Sequence, residues 1–199
     1  MISVIIWVNG AFGSGKSQTT HELHRRIPGS FLYDPENAGY FIRKNVPPST
    51  ALDDFQDYPM WRESNYGMLN YISGKFDGVI LVPMTIVNPV YFDEIVGRLR
   101  RDNRTVHHFA LCASKETLLK RLRSRGEGPN SWAARQIDRC RGGLSQEVFQ
   151  HHVDTDFLTI GEVSEGIAAI AGIQLLPDNR SAIRKKADRL LTQLKQIRF

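Results

Sequence analysis

The strongest chemistry in the chain lies in eight residues, Gly10-Ala11-Phe12-Gly13-Ser14-Gly15-Lys16-Ser17. They fit the G-x-x-x-x-G-K-[ST] phosphate loop at every fixed position, with Gln18 directly after it. A triphosphate needs donors pointing inward and a cation between its β- and γ-groups. Glycines let backbone N–H groups curl around phosphate. A helix starting near Lys16 adds the positive end of its dipole. Lys16 supplies a mobile ammonium, and the Ser17 hydroxyl can ligate Mg²⁺. The pattern predicts bound ATP and Mg²⁺, with Lys16 both holding and polarising the nucleotide.

A second group is an arginine array. Arg121 and Arg125 stand i, i+4 apart and share a helix face, as do Arg135 and Arg139. Between the pairs runs Gly126 to Asn130, a polar Gly-x-Gly-Pro segment. Charge runs are mostly solvated faces. Downstream of a phosphate loop, however, two arginine helices around such a loop make a lid over 125–131. Its closure would bring guanidinium groups to the transferring phosphoryl and exclude water. Asp34 follows the second expected strand, at the carboxyl edge where open α/β sheets bind ligands. There it could take a proton from an attacking hydroxyl or hold a metal-bound water; a turn aspartate before Pro35 is the plainer alternative. Thr85 ends the third expected strand and could touch the metal or the γ-phosphate. No aspartate occupies that strand end, so other groups must complete a metal shell.

The elements that must position these groups alternate along the chain. Val4 to Val8 form a near-continuous apolar run, as in a strand buried on both faces. Helix is expected over Lys16–Ile27, strand over Ser30–Tyr33, helix over Asp53–Ser73 and strand over Val79–Val82. A helix Tyr91–Arg101, a strand Val106–Cys112 and a Ser114-capped helix to Arg125 follow. Ser131 caps a further helix toward Gly142, His151–Thr155 reads as a fifth strand, and Thr159 with Glu162 has capping-box spacing. This alternation predicts a parallel sheet covered on both sides. Phe41, Phe55, Tyr58, Trp61 and Tyr66 fall in an insert over 35–75, whose rings could face a base, a sugar or an acyl chain. His107, His108, His151 and His152 read as strand or loop residues. The last element, over 180–199, puts Ile183, Ala187, Leu190, Leu194 and Ile197 on one stripe with cationic residues opposite. Such a helix suits either a membrane surface or a sheet, and docking on the sheet is the commoner case.

The bulk numbers agree with one domain over 1–199. Cys112 and Cys140 have no metal spacing and suit reduced thiols in a cytoplasmic protein. No secretory signal or membrane span is read. A net charge of +5 suits a phosphate-bearing partner without indicating nucleic acid.

Several stretches taken together, WVNGAFGSGKSQT, LYDPENAGY, VPMTIVNPVYFDEIVGRLR, HHFALCASKETLLKRLRSR, NSWAARQIDRC and ADRLLTQLKQIR, resemble the bacterial tunicamycin-resistance protein family over nearly the whole chain. More distantly the chain is similar to nucleoside-monophosphate kinases and antibiotic phosphotransferases such as chloramphenicol kinase. The resemblance implies a P-loop NTPase three-layer α/β sandwich, with a parallel five-stranded sheet and an arginine lid. It implies Asp34 acting on an acceptor hydroxyl, Arg121 and Arg125 as lid arginines, and Arg135 and Arg139 on the far side. It also implies ATP binding and peripheral membrane association through 180–199. The expected activity is phosphorylation of tunicamycin or a related nucleoside or sugar compound. ATP-dependent sequestration of the drug, or a nucleotide kinase, are the alternatives. No N-K-x-D-type motif supports a regulatory GTPase.

Overall fold

The structure, a computed structural model, describes residues 3–196. The expected helix-end residues Ile197 and Arg198 lie outside them. Five parallel strands form one sheet: β1 (Val4–Gly10), β2 (Phe31–Leu32), β3 (Val79–Pro83), β4 (Thr105–Cys112) and β5 (His152–Asp154), in the order β2-β3-β1-β4-β5. β1 is central, with Ile6 beside Leu81 on one side and His107 on the other. Successive side chains of a strand point to opposite faces. Ile5 and Trp7 therefore join one core and Ile6 and Val8 the other, all fully buried. This double burial explains the unbroken apolar run and gives three layers.

The helices follow in chain order: α1 (Lys16–Arg26), α2 (Glu36–Asn45), α3 (Pro59–Ser73), α4 (Pro89–Phe92), α5 (Arg98–Arg101), α6 (Lys115–Arg123), α7 (Trp132–Arg135), α8 (Ile137–Leu144), α9 (Ile160–Ile170) and α10 (Ala182–Gln196). A π turn, Asp93–Gly97, joins α4 to α5. α1 and α9 pack on the Ile6/Val8 face; the insert packs on the Ile5/Trp7 face. Ser114, Ser131 and Thr159 cap their helices as expected, the last in a full capping box with Glu162.

Three expectations are corrected. The helix expected from Asp53 begins at Pro59, whose fixed φ suits a first turn, and 3-10 turns precede it. The helix expected to reach Arg125 ends at Arg123. The terminal helix does not dock by its apolar stripe, the commoner of the two cases that the sequence allowed. Lys185, Asp188, Thr192 and Gln193 face the body, whereas Ile183 is 83 % exposed, Leu190 59 % and Leu191 55 %. The docking face is polar. Arg180 donates to Glu22 Oε1 (2.5 Å), Asp178 Oδ1 (2.6 Å) and Asp188 Oδ2 (2.8 Å), and Lys185 pairs with Asp178 at 2.9 Å. Gln18 Nε2 donates to the Arg189 carbonyl at 2.9 Å. An ion network nearly closed to water replaces the apolar seam that the periodicity suggested.

Candidate functional site

β1 ends at Gly10 and α1 begins at Lys16, so the five residues Ala11 to Gly15 form the turn between them. Gly13 (φ +84°) and Gly15 (φ +99°) are left-handed, a conformation side chains resist. Gly15 caps α1 with no side chain, and the first turn of α1 holds no acidic residue. Its N–H groups and dipole are thus left for an anion. The Ser14 hydroxyl is buried without a partner, a second sign that the cradle fits phosphate oxygens. Lys16 Nζ lies 5.0 Å from the Phe12 ring centroid. Burial pushes its pKa down, against the pull of the Glu36 carboxylate and, more weakly, of Asp34.

A cleft of about 590 Å³ opens over the loop, with Lys16, Ser17, Asp34, Glu36, Arg125 and Leu190 among its walls. Ser17 and Asp34 bring the oxygen ligands that Mg²⁺ prefers to the same space. The donor set therefore fits ATP with Mg²⁺. Asp34 also starts α2, accepting from the Glu36 N–H at 3.0 Å. Tyr33, just before it, donates to Asn65 at 2.8 Å, and burial, then Asp34, push its pKa up to about 12.

The other expected residues are dispersed. Arg121 is not among the residues lining the cleft: Nη1 donates to Thr155 Oγ1 (3.1 Å) and the Ser14 carbonyl (3.4 Å), and Nη2 to the Thr155 carbonyl (2.5 Å). It straps the loop to the segment after β5. Arg125, just past α6, does line the cleft. Gln18 spends its side-chain N–H on α10, as above. Ala11 packs under the arginine helices with Leu118 and Leu122. Arg135 is exposed at the end of α7. Arg139 and Thr85 line a neighbouring cavity of about 400 Å³, which shares Phe12 and Glu36 with the first. Thr85 ties the second cavity to the start of the phosphate loop. Gln56 donates to the Thr85 carbonyl (3.1 Å), and the Thr85 hydroxyl donates to the Gly10 carbonyl (2.7 Å). That hydroxyl proton is thus spent on the loop itself.

Glu36 and Gln193 line the cleft and Asn9 supports it, with no role expected from the sequence; Leu190, expected only on the terminal stripe, lines the cleft, and His108, expected only as a strand residue, supports Asn9. Asn9 uses all of its hydrogen-bonding capacity. Oδ1 accepts from the Gly10 and Ile86 N–H groups (2.8 and 3.0 Å), and Nδ2 donates to the Ile86 carbonyl (2.8 Å) and His108 Nε2 (3.2 Å). His108 Nε2 must accept, so its proton sits on Nδ1, toward the Gln150 carbonyl at 3.3 Å. Burial among Phe92 and Phe149 lowers the His108 pKa to about 4. The unfolded chain takes this proton near pH 6.5, the folded one near 4. Stability therefore falls as pH falls through that window, by about 3 kcal/mol from this residue. Urea denaturation between pH 7 and 4 should show the loss, and H108Q should flatten it.

Residues 5–146 match the model of the AAA domain family. No curated protein matches the chain. Among solved structures, the chain is similar to the tunicamycin resistance protein of Deinococcus radiodurans, at 37 % identity over 88 % of this chain and 99 % of that one, with a TM-score of 0.76. A gluconokinase from Sinorhizobium meliloti (19 % identity, 85 % and 94 % covered, TM-score 0.61) shares the fold. So does a shikimate kinase from Bacteroides thetaiotaomicron (15 %, 85 % and 99 %, TM-score 0.57).

Proposed function

Because the chain belongs to the AAA domain family and to the tunicamycin-resistance proteins, we propose that it is an ATP-dependent small-molecule kinase acting on a hydroxyl of tunicamycin or a related nucleoside or sugar compound. One observation carries this reading: the phosphate cleft and the neighbouring cavity share a wall at Phe12 and Glu36, with Asp34 among the walls of the first. A nucleotide and an acceptor can thus meet. The loop amides, Lys16 and Ser17 would hold the triphosphate, and Ser17 would ligate Mg²⁺, which would supply positive charge against the phosphate oxygens. Asp34 accepts the proton of the acceptor hydroxyl as its oxygen bonds to the γ-phosphorus and the bridge to the β-phosphate breaks. Arg125 balances the charge of the moving phosphoryl, and the segment 125–131 is the lid that brings it in. The insert over 35–75 holds the acceptor.

A second reading is sequestration of the drug at a membrane. The outward apolar stripe of α10, beside Arg184 and Lys186, favours it as an interfacial surface. No helix among the described residues is long and apolar enough to cross a membrane. In this reading the protein works in the cytoplasm, with α10 on the inner membrane face.

One experiment separates the two. Tunicamycin is incubated with the protein, MgATP and sedimentable anionic vesicles, and every fraction is weighed by mass spectrometry. The kinase reading expects a gain of one phosphoryl group. D34N should slow that gain by roughly two to four orders of magnitude while ATP binding persists. Unmodified drug sedimenting one-to-one with protein on the vesicles would favour sequestration.

A further inference from the structure

The neighbouring cavity has a composition of its own. Phe12, Tyr40, Phe55 and Trp132 supply ring faces. Trp132, on the arginine side, meets Phe12 edge-on at 4.9 Å and is still 54 % exposed. Tyr40 and Phe55 lie 6.4 Å apart on the insert side. Such walls take flat or ring-shaped ligands. The charged lining is three carboxylates, Glu36, Asp53 and Asp54, against two guanidiniums, Arg43 and Arg139.

Both guanidiniums lean on the protein. Arg43 lies 5.3 Å over the Phe55 ring and donates to the Asp53 carbonyl. Arg139 donates to Gln136 at 2.8 Å and faces Asp54 Oδ2 at 3.8 Å, so that a residue of α8 meets a residue of the insert across the cavity. An anionic ligand would compete with Asp54 for the Arg139 guanidinium and bring a further negative charge beside three carboxylates. A hydroxyl group instead donates to a carboxylate and disturbs no pair.

We propose that this cavity is a charge filter: it admits uncharged, hydroxyl-bearing ring compounds and turns away acceptors that carry a phosphate or carboxylate. Asp53 and Asp54 are its discriminating residues, and they act by repulsion as well as by attraction. The proposal rests on the kinase reading only for the name acceptor; the selection is a property of binding.

The test uses the full chain saturated with Mg²⁺ and a non-hydrolysable ATP analogue. Calorimetric titrations compare tunicamycin and two matched pairs, uridine with uridine monophosphate and N-acetylglucosamine with its 6-phosphate. Tunicamycin and at least one neutral pair member should bind, the latter about tenfold or more tighter than its phosphorylated partner. In the double variant D53N/D54N that ratio should shrink to about threefold or less. Both changes keep side-chain shape, and the asparagine at 54 retains an oxygen for the Gln56 N–H that Asp54 caps at 3.0 Å. Equal or tighter binding of the phosphorylated members, no binding by any neutral compound, or an unchanged ratio in the variant would each overturn the filter. Neutral ligands that bind but are never phosphorylated would sink the kinase reading and leave the filter standing. Transfer onto a phosphorylated acceptor would do the reverse.

Discussion

Replacement of Lys16 by alanine is expected to lower phosphoryl transfer by roughly two to three orders of magnitude and to leave the melting temperature unchanged or slightly raised. The two halves have one cause. Lys16 keeps its ammonium where burial works against the charge, so the folded protein gains little from it without a ligand. Its value appears only when phosphate oxygens enter the cleft, and most of all as charge redistributes during transfer. Around it, the glycine turn, the α1 amides and the Arg121 strap do not depend on the side chain. Steady-state rates with calorimetric melting check both parts. Transfer above about a tenth of the wild-type rate would show that the loop works without its cation. A large fall in melting temperature would show that Lys16 is structural.

The second large effect concerns α10. R180A removes a cation that faces Glu22, Asp178 and Asp188 together. Glu22 keeps Arg25 at 2.6 Å, Asp178 keeps Lys185, and Asp188 keeps Arg184 at 3.5 Å. The acids lose their shared centre rather than every partner. Breaking such a nearly enclosed network should destabilise helix docking by about 3 kcal/mol. That is on the order of a hundredfold more opening, read as faster hydrogen exchange in α10 than in β1 and β4. Acid should act in the same direction. Hydrogen bonds from Arg180 hold the Asp178 and Asp188 carboxyls below the usual carboxylate range. Their contribution is complete above about pH 4 and fades as pH falls below it. Unchanged exchange in α10 would mean that the Gln18 hydrogen bond and side-chain packing hold the helix.

What could be read from the sequence was local. The phosphate loop, the strand before it and the three serine and threonine caps each depend on a few adjacent residues, and each lies where its spacing puts it. α2 was not read. Gly39 interrupts its pattern, and the reason for a glycine there is remote: an ideal Cβ would stand 2.6 Å from the Phe55 ring. The α10 stripe was legible at the right period, but its direction stayed open between a sheet and a membrane, because periodicity marks a face without saying what meets it. Here Arg180 and Glu22, 158 residues apart, decide the matter. Asn9 gave no signal for the same reason, its side-chain partners Ile86 and His108 lying 77 and 99 positions away. Asp54 resembled any loop aspartate until Arg139 stood across from it.

The Asn9 amide has a mechanical consequence. By joining the end of β1, the segment after β3 and a buried histidine in the middle of β4, it rivets three neighbouring strands together. The phosphate loop therefore sits on an anvil made of the centre of the sheet. A closing stroke over that loop would come from the other jaw, the arginine helices and the insert, where Arg139 approaches Asp54 at 3.8 Å.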